Sequence, residues 1–141
     1  MIVVDASVAV KWLVPELGAD AAAMIFGQPL SAPHLLFVEV TNALWAKLRR
    51  GTLARDEAEV AAAKVRTMPV AAVSDADLAP AAFALAVRLN HAAYDCFYLA
   101  LAIERDTHVV TADRRFVAAA DAHAETKGRV RLLGAATPPA A

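Results

Sequence analysis

The sequence predicts a three-layer α/β/α domain built on a mostly parallel sheet, and three observations predict it. Short apolar runs at 2–4, 70–73, 109–111 and 130–133 alternate with longer helical patterns, the order that builds crossover units. The runs at 2–4 (Ile-Val-Val) and 109–111 (Val-Val-Thr) show no polar alternation, as expected of strands covered on both faces. Both lead into an aspartate, Asp5 and Asp113. Open parallel sheets bind ligands outside the carboxyl ends of their strands, where strand order reverses. Two carboxylates delivered to that edge make an acidic site, and such a site needs a cation.

The elements follow in order. After the first strand, Ser7 offers a cap for a short helix through about residue 13, stopped by Pro15. Residues 18–26 read as a second helix, closed by Gly27 and Pro29, and 30–32 as a weak strand before Pro33. The segment 35–50 is long and mostly apolar, with Arg49 and Arg50 in its last turn and Gly51 as its stop. A further helix at 55–67 opens with Asp56, Glu57 and Glu59, where the helix dipole favours acids. Pro69 precedes the strand at 70–73. Ser74 and Asp75 then offer a cap for a helix at 76–89, with Pro80 near its first turn. The helix at 92–105 is apolar nearly all round and is therefore central. A strand at 108–111, a helix at 114–122 and a strand at 130–133 complete residues 1–135 as one domain. The Pro- and Ala-rich residues 136–141 are expected to form a disordered tail.

Composition bounds the function. A chain of 141 residues fits one domain with a substantial core. Its hydrophobic content of 59% owes much to alanine, which favours helix more than it fills volume. The net charge of −1 supplies no global field toward nucleic acid or membrane, so a polyanionic partner has to be met by local charge. The basic residues are mostly arginine, the better fork for phosphate. The single Cys96 excludes an internal disulfide and fits a reducing, cytoplasmic compartment. Its setting suits a small buried hydrophobe better than a nucleophile. No apolar run approaches the ~20 residues of a membrane span, and Asp5 interrupts any signal-like start.

Two more acids break their local pattern. Glu39 lies in Leu-Leu-Phe-Val-Glu-Val-Thr-Asn-Ala-Leu, and Asp95 precedes Cys-Phe-Tyr-Leu-Ala-Leu. A lone charge in such surroundings is costly. Each acid taken singly has a bland reading. Asp95 can complement its helix dipole, Glu39 can snorkel or pair with Lys47, Asp113 can cap the next helix, and Asp5 can end its strand in a turn. Four such coincidences are jointly improbable.

The chain resembles the PIN-domain ribonucleases, and among them the small VapC-type toxins of bacterial toxin–antitoxin pairs. The resemblance rests on Val-Val-Asp-Ala-Ser-Val at 3–8 and on 33–44, which begins Pro-His-Leu-Leu-Phe-Val-Glu-Val. It continues with Ala-Tyr-Asp-Cys-Phe-Tyr-Leu-Ala-Leu-Ala at 93–102 and Val-Val-Thr-Ala-Asp-Arg-Arg-Phe at 109–116. The resemblance implies strand order 3-2-1-4-5 and an acidic quartet of Asp5, Glu39, Asp95 and Asp113 that binds Mg²⁺ or Mn²⁺. Ser7 and Thr111 would be its polar companions.

It also implies endoribonuclease cleavage leaving a 5′ phosphate and a 3′ hydroxyl, RNA as substrate, and a VapB-type antitoxin as partner. Asp5, Asp95 and Asp113 are the expected ligands, with Glu39 a further ligand or the residue that positions the attacking water. Arg114 and Arg115, and more weakly Lys11, are candidates to hold substrate phosphate. A homodimer is expected from apolar surface on the 35–50 helix and its successor, including Trp45. Trp12, Trp45, Phe97 and Tyr98 read as core or interface, and His91 and His108 as surface or structural. The competing readings are a phosphoacceptor module, which normally pairs acids after its first strand, and a non-catalytic α/β regulatory module.

Overall fold

The computed structural model describes residues 1–135, so the expected tail at 136–141 lies outside the described residues. β-Branched and apolar triplets form β1 (Ile2–Val4), β4 (Val109–Thr111) and β5 (Val130–Leu132). The weakly signalled β2 (Leu30–Pro33) is buried along its whole length, and β3 (Ala71–Val73) lies at the sheet edge. The sheet runs β3-β2-β1-β4-β5 and every pairing is parallel, in the expected order. The direction of winding reverses at β1, between β2 and β4, so the crevice at the carboxyl ends of β1 and β4 is the site position of this architecture.

The pleat divides the core. Val3 and Val109 point into the larger cluster, with Leu36, Val40, Tyr98, Leu99 and Phe116. Ile2 and Val110 point to the opposite face, where Val8, Ala22 and Trp12 pack. The helices are α1 (Ala6–Ala9), α2 (Ala19–Ile25), α3 (Leu35–Arg49), α4 (Arg55–Lys64), α5 (Asp75–Leu89), α6 (Ala93–Glu104) and α7 (Arg114–Asp121). The all-round apolar pattern of α6 has the expected outcome: Cys96 and Tyr98 through Ala102 are all buried, and the helix packs on β1, β2 and β4. Among the described residues no helix is long and apolar enough to cross a membrane.

Three local expectations are corrected. The cap of α1 is Asp5 rather than Ser7, because the strand-ending carboxylate sits one position before the first helical residue. Ser74 occupies the cap position of α5 without a side-chain bond, and the Asp75 carboxylate instead accepts the Leu35 N–H at 2.9 Å, at the start of α3. Pro80 lies in the second turn of α5, not the first. The helix tolerates it there because Ala76, whose carbonyl loses its amide partner, is exposed to water.

Candidate active site

The site grows from the end of β1. Asp5 is 5% exposed, and two hydroxyls hold its carboxylate. Ser7 donates to Oδ1 from both its N–H, at 3.1 Å, and its Oγ, at 2.5 Å, while Thr111 Oγ1 donates to Oδ2 at 2.5 Å. Each hydroxyl in turn accepts a backbone N–H from the turn after β4. Ala112 N–H reaches Ser7 Oγ at 2.8 Å, and Asp113 N–H reaches Thr111 Oγ1 at 3.0 Å. Two relays therefore run from that turn, through a hydroxyl, to the two oxygens of Asp5, and such chains polarise and strengthen one another. Burial pushes the Asp5 carboxyl up to about 7, against the two hydroxyls, which favour its charge; Asp95 and Glu39 push it further.

Glu39 enters from α3. Tyr98, fully buried on α6, donates to Glu39 Oε1 at 2.6 Å. Burial raises the Glu39 carboxyl and the tyrosine bond opposes that rise, whereas Asp95 and Asp75 reinforce it. Burial, together with Glu39 beside it, raises the Tyr98 hydroxyl in turn, which keeps it a donor. Asp95 lies in the first turn of α6, where His91 Nε2–H donates to its Oδ2 at 2.6 Å. Asp5, Glu39 and Asp95 are thus electrostatically coupled.

Asp113 stands at the rim. It caps α7, accepting the Arg115 N–H at 2.9 Å, and it is not among the charges that shift Asp5 or Glu39. Its capping reading and its place beside Thr111 hold together. Ser7 and Thr111 bond Asp5 directly, the supporting role expected of them. Arg114 and Arg115 are exposed at the start of α7, and among the described residues neither forms an ion pair. Lys11 is different. Its ammonium is engaged by Glu16 Oε1 at 3.0 Å and the Leu17 carbonyl at 2.7 Å, and Lys47 also pairs with Glu16. Lys11 therefore fastens a loop rather than offering its charge to a phosphate.

Three residues join the site that were not among its sequence candidates. Tyr98 was expected in the core or an interface, and its hydroxyl is the partner of Glu39. His91, expected in a surface or structural role, bonds Asp95, and the i, i+4 spacing was the available signal for that partner. Asp75 is a second acid, besides Asp95, that raises Glu39. Cys96 is inert as expected, its thiol pushed up to about 11 by burial.

The donors at the site are all carboxylate and hydroxyl oxygens, which suit a hard divalent cation. Among the described residues no three His, Cys, Asp or Glu side chains close on a common point.

Comparison with known proteins places this arrangement in context. The profile of the PIN domain matches residues 2–122. The chain is 35% identical over 118 residues to Ribonuclease VapC3 of Pyrobaculum aerophilum, covering 81% of this chain and 90% of that protein. Its fold is similar to the crystal structure of PAE2754 from Pyrobaculum aerophilum, with TM-score 0.67, 26% identity, and coverage of 92% of this chain and 81% of that one. It is also similar in fold to the Mycobacterium tuberculosis VapC20 structure, with TM-score 0.65, 21% identity, and coverage of 84% and 95%.

The raised Asp5 carboxyl makes a prediction about the metal-free protein. Its folded value of about 7 exceeds the ordinary 3.8, so the folded state holds a proton that the unfolded chain releases. The corresponding stabilisation is complete below about pH 4 and is lost as pH rises through about 7. Asp5→Asn removes the charge and keeps the shape. In chelator at pH 8 the variant should be as stable as the unsubstituted protein or more so, by roughly 0.5–2 kcal/mol, with a flatter pH profile between 4 and 8. Urea unfolding across that range measures both, and a variant much weaker than the parent at pH 8 would contradict the assignment.

Proposed function

The chain belongs to the PIN-domain family, and on that footing we propose that it is a metal-dependent endoribonuclease, the toxin of a type II toxin–antitoxin pair. The observation that carries this reading is the coupling of three carboxylates, Asp5, Glu39 and Asp95, at the carboxyl edge of a parallel sheet, with Asp113 on its rim. The ribonuclease activity in the name of the Pyrobaculum relative supports the same reading.

The four acids would hold Mg²⁺ or Mn²⁺, with Asp5, Asp95 and Asp113 as ligands, directly or through water, and Glu39 as a ligand or as the group that orients the attacking water. A bound divalent cation supplies charge neutralisation and water activation for in-line phosphodiester hydrolysis. The residues of the chain do the rest. Ser7 and Thr111 fix the two oxygens of Asp5, and Tyr98 fixes Glu39 while leaving Oε2 for a water or a proton. Arg114 and Arg115 offer unpaired guanidinium groups for bidentate contacts to the RNA backbone beside Asp113. The phosphoacceptor reading is disfavoured, because Asp5 is buried beneath three donors.

An RNase in its own cytoplasm requires restraint, and the partner of this reading is a VapB-type antitoxin. The exposed apolar side chains Val38 and Trp45 on α3, and Phe83 and Val87 on α5, support a surface for that partner or for a second copy of the chain. A cytoplasmic location is supported by the single unpaired Cys96.

Cleavage of total cellular RNA should require Mg²⁺ or Mn²⁺ and stop in excess chelator. Glu39→Gln should lower the rate by about 10²-fold or more, and Asp95→Asn should abolish it. Undiminished cleavage in chelator would overturn the cation site. Expression of the protein alone should arrest growth, and co-expression with the product of the adjacent gene should relieve it. Light scattering of the purified pair should give a mass containing two copies of this chain. No arrest and no complex would together remove the toxin–antitoxin reading.

A further inference from the structure

His91 lies in the turn between α5 and α6, placed there by Asn90, whose left-handed backbone (φ 48°) ends α5. Its ring meets two elements at once. Nε2–H donates to Asp95 Oδ2 at 2.6 Å, four residues along the chain. The ring face lies against Phe116 of α7, with centroids 5.5 Å apart and planes within 12° of parallel. Phe116 is fully buried and stands three residues after Asp113, so it is a fixed platform on the helix that Asp113 caps.

An aspartate in the first turn of a helix has competing uses for its carboxylate, in backbone caps or toward solvent. At Asp95 one oxygen is committed: Oδ2 is taken by His91, and among the described residues no donor engages Oδ1. The side chains of the pair are 17% and 25% exposed, so the bond is partly shielded from competing water. Groups that hydrogen-bond a ligating carboxylate commonly change metal affinity by 10–100-fold when removed.

We infer that His91 is a positioning residue: it fixes the Asp95 carboxylate beside Asp5 and Glu39, ties it to the helix that Asp113 caps, and thereby sets the affinity of the acidic site for a divalent cation. The inference rests on the reading of that site given under Proposed function. The contacts of the His91 ring are to Asp95 and Phe116. It acts through Asp95 alone, and the stack on Phe116 makes its own position independent of the cation.

The test is calorimetric titration of Mn²⁺ into the full chain without RNA, with thermal melts in chelator. His91→Phe keeps an aromatic ring for Phe116 and removes the bond, His91→Gln restores a donor, and Asp95→Asn removes the carboxylate. The expected result is a His91→Phe protein that melts close to the parent in chelator but binds Mn²⁺ about 10–100-fold more weakly. Its RNA cleavage should recover at raised Mg²⁺, and His91→Gln should regain part of the affinity. Unchanged Mn²⁺ affinity in His91→Phe, with binding lost in Asp95→Asn, overturns the inference and leaves the cation site standing. A His91→Phe protein that melts far below the parent, with His91→Gln no better in affinity, also overturns it and makes His91 a packing residue. If the parent binds no Mn²⁺, or Asp95→Asn binds as tightly as the parent, the cation site itself falls and the inference with it.

Discussion

Everything at the carboxyl edge of this sheet depends on the hold of two hydroxyls on one buried carboxylate. Ser7 comes from α1 and Thr111 from the end of β4, yet each accepts a backbone N–H from the turn after β4 and donates its own O–H to Asp5. The arrangement satisfies a carboxylate that burial would otherwise penalise heavily. It also clamps β1 to β4 at the point where the winding of the sheet reverses. Losing the Thr111 hydroxyl would leave the Asp113 N–H and Asp5 Oδ2 short of a partner, whereas losing that of Ser7 would free the Ala112 N–H and leave Oδ1 with the Ser7 N–H alone.

Around that clamp the charges are graded rather than equal. Asp5 is buried deepest and its carboxyl is raised most, Glu39 is half-buried and steadied by Tyr98, and Asp95 is braced by His91. Asp113 points into its own helix cap. The metal-free protein thus concentrates repulsion among three acids and keeps the fourth occupied with backbone. On the proposed reading, such a site would trade stability for readiness to bind a cation, and an oxygen-only donor set would favour hard ions over the softer metals that histidine or thiolate favour.

Much of this was legible in the sequence because the acids violate their local patterns. A β-branched run ending in Asp5, a second leading to Asp113, and carboxylates at Glu39 and Asp95 within apolar helices each contradict what the surrounding residues predict. Their supporting partners were far less legible. Tyr98 is 59 positions from Glu39, and a tyrosine in an apolar helix reads as core until its neighbour in space is known. Asp75 looked like a cap for its own helix but serves the first residue of α3, 40 positions away. Lys11 sat within a turn of Ser7 and suggested phosphate, whereas Glu16 claims its charge. Local pattern reports burial and periodicity; it carries no information on which polar groups tertiary packing brings face to face.

The central claim is that Asp5, Glu39 and Asp95, with Asp113 at the rim, constitute one divalent-cation site. The most direct measurement is a crystal structure of the protein soaked in Mn²⁺, with anomalous differences recorded at the manganese edge. The expected result is a peak bounded by Asp5, Glu39 and Asp95, with Ser7 and Thr111 still bonded to Asp5. A peak elsewhere on the surface, or none at this edge of the sheet at saturating Mn²⁺, would contradict it.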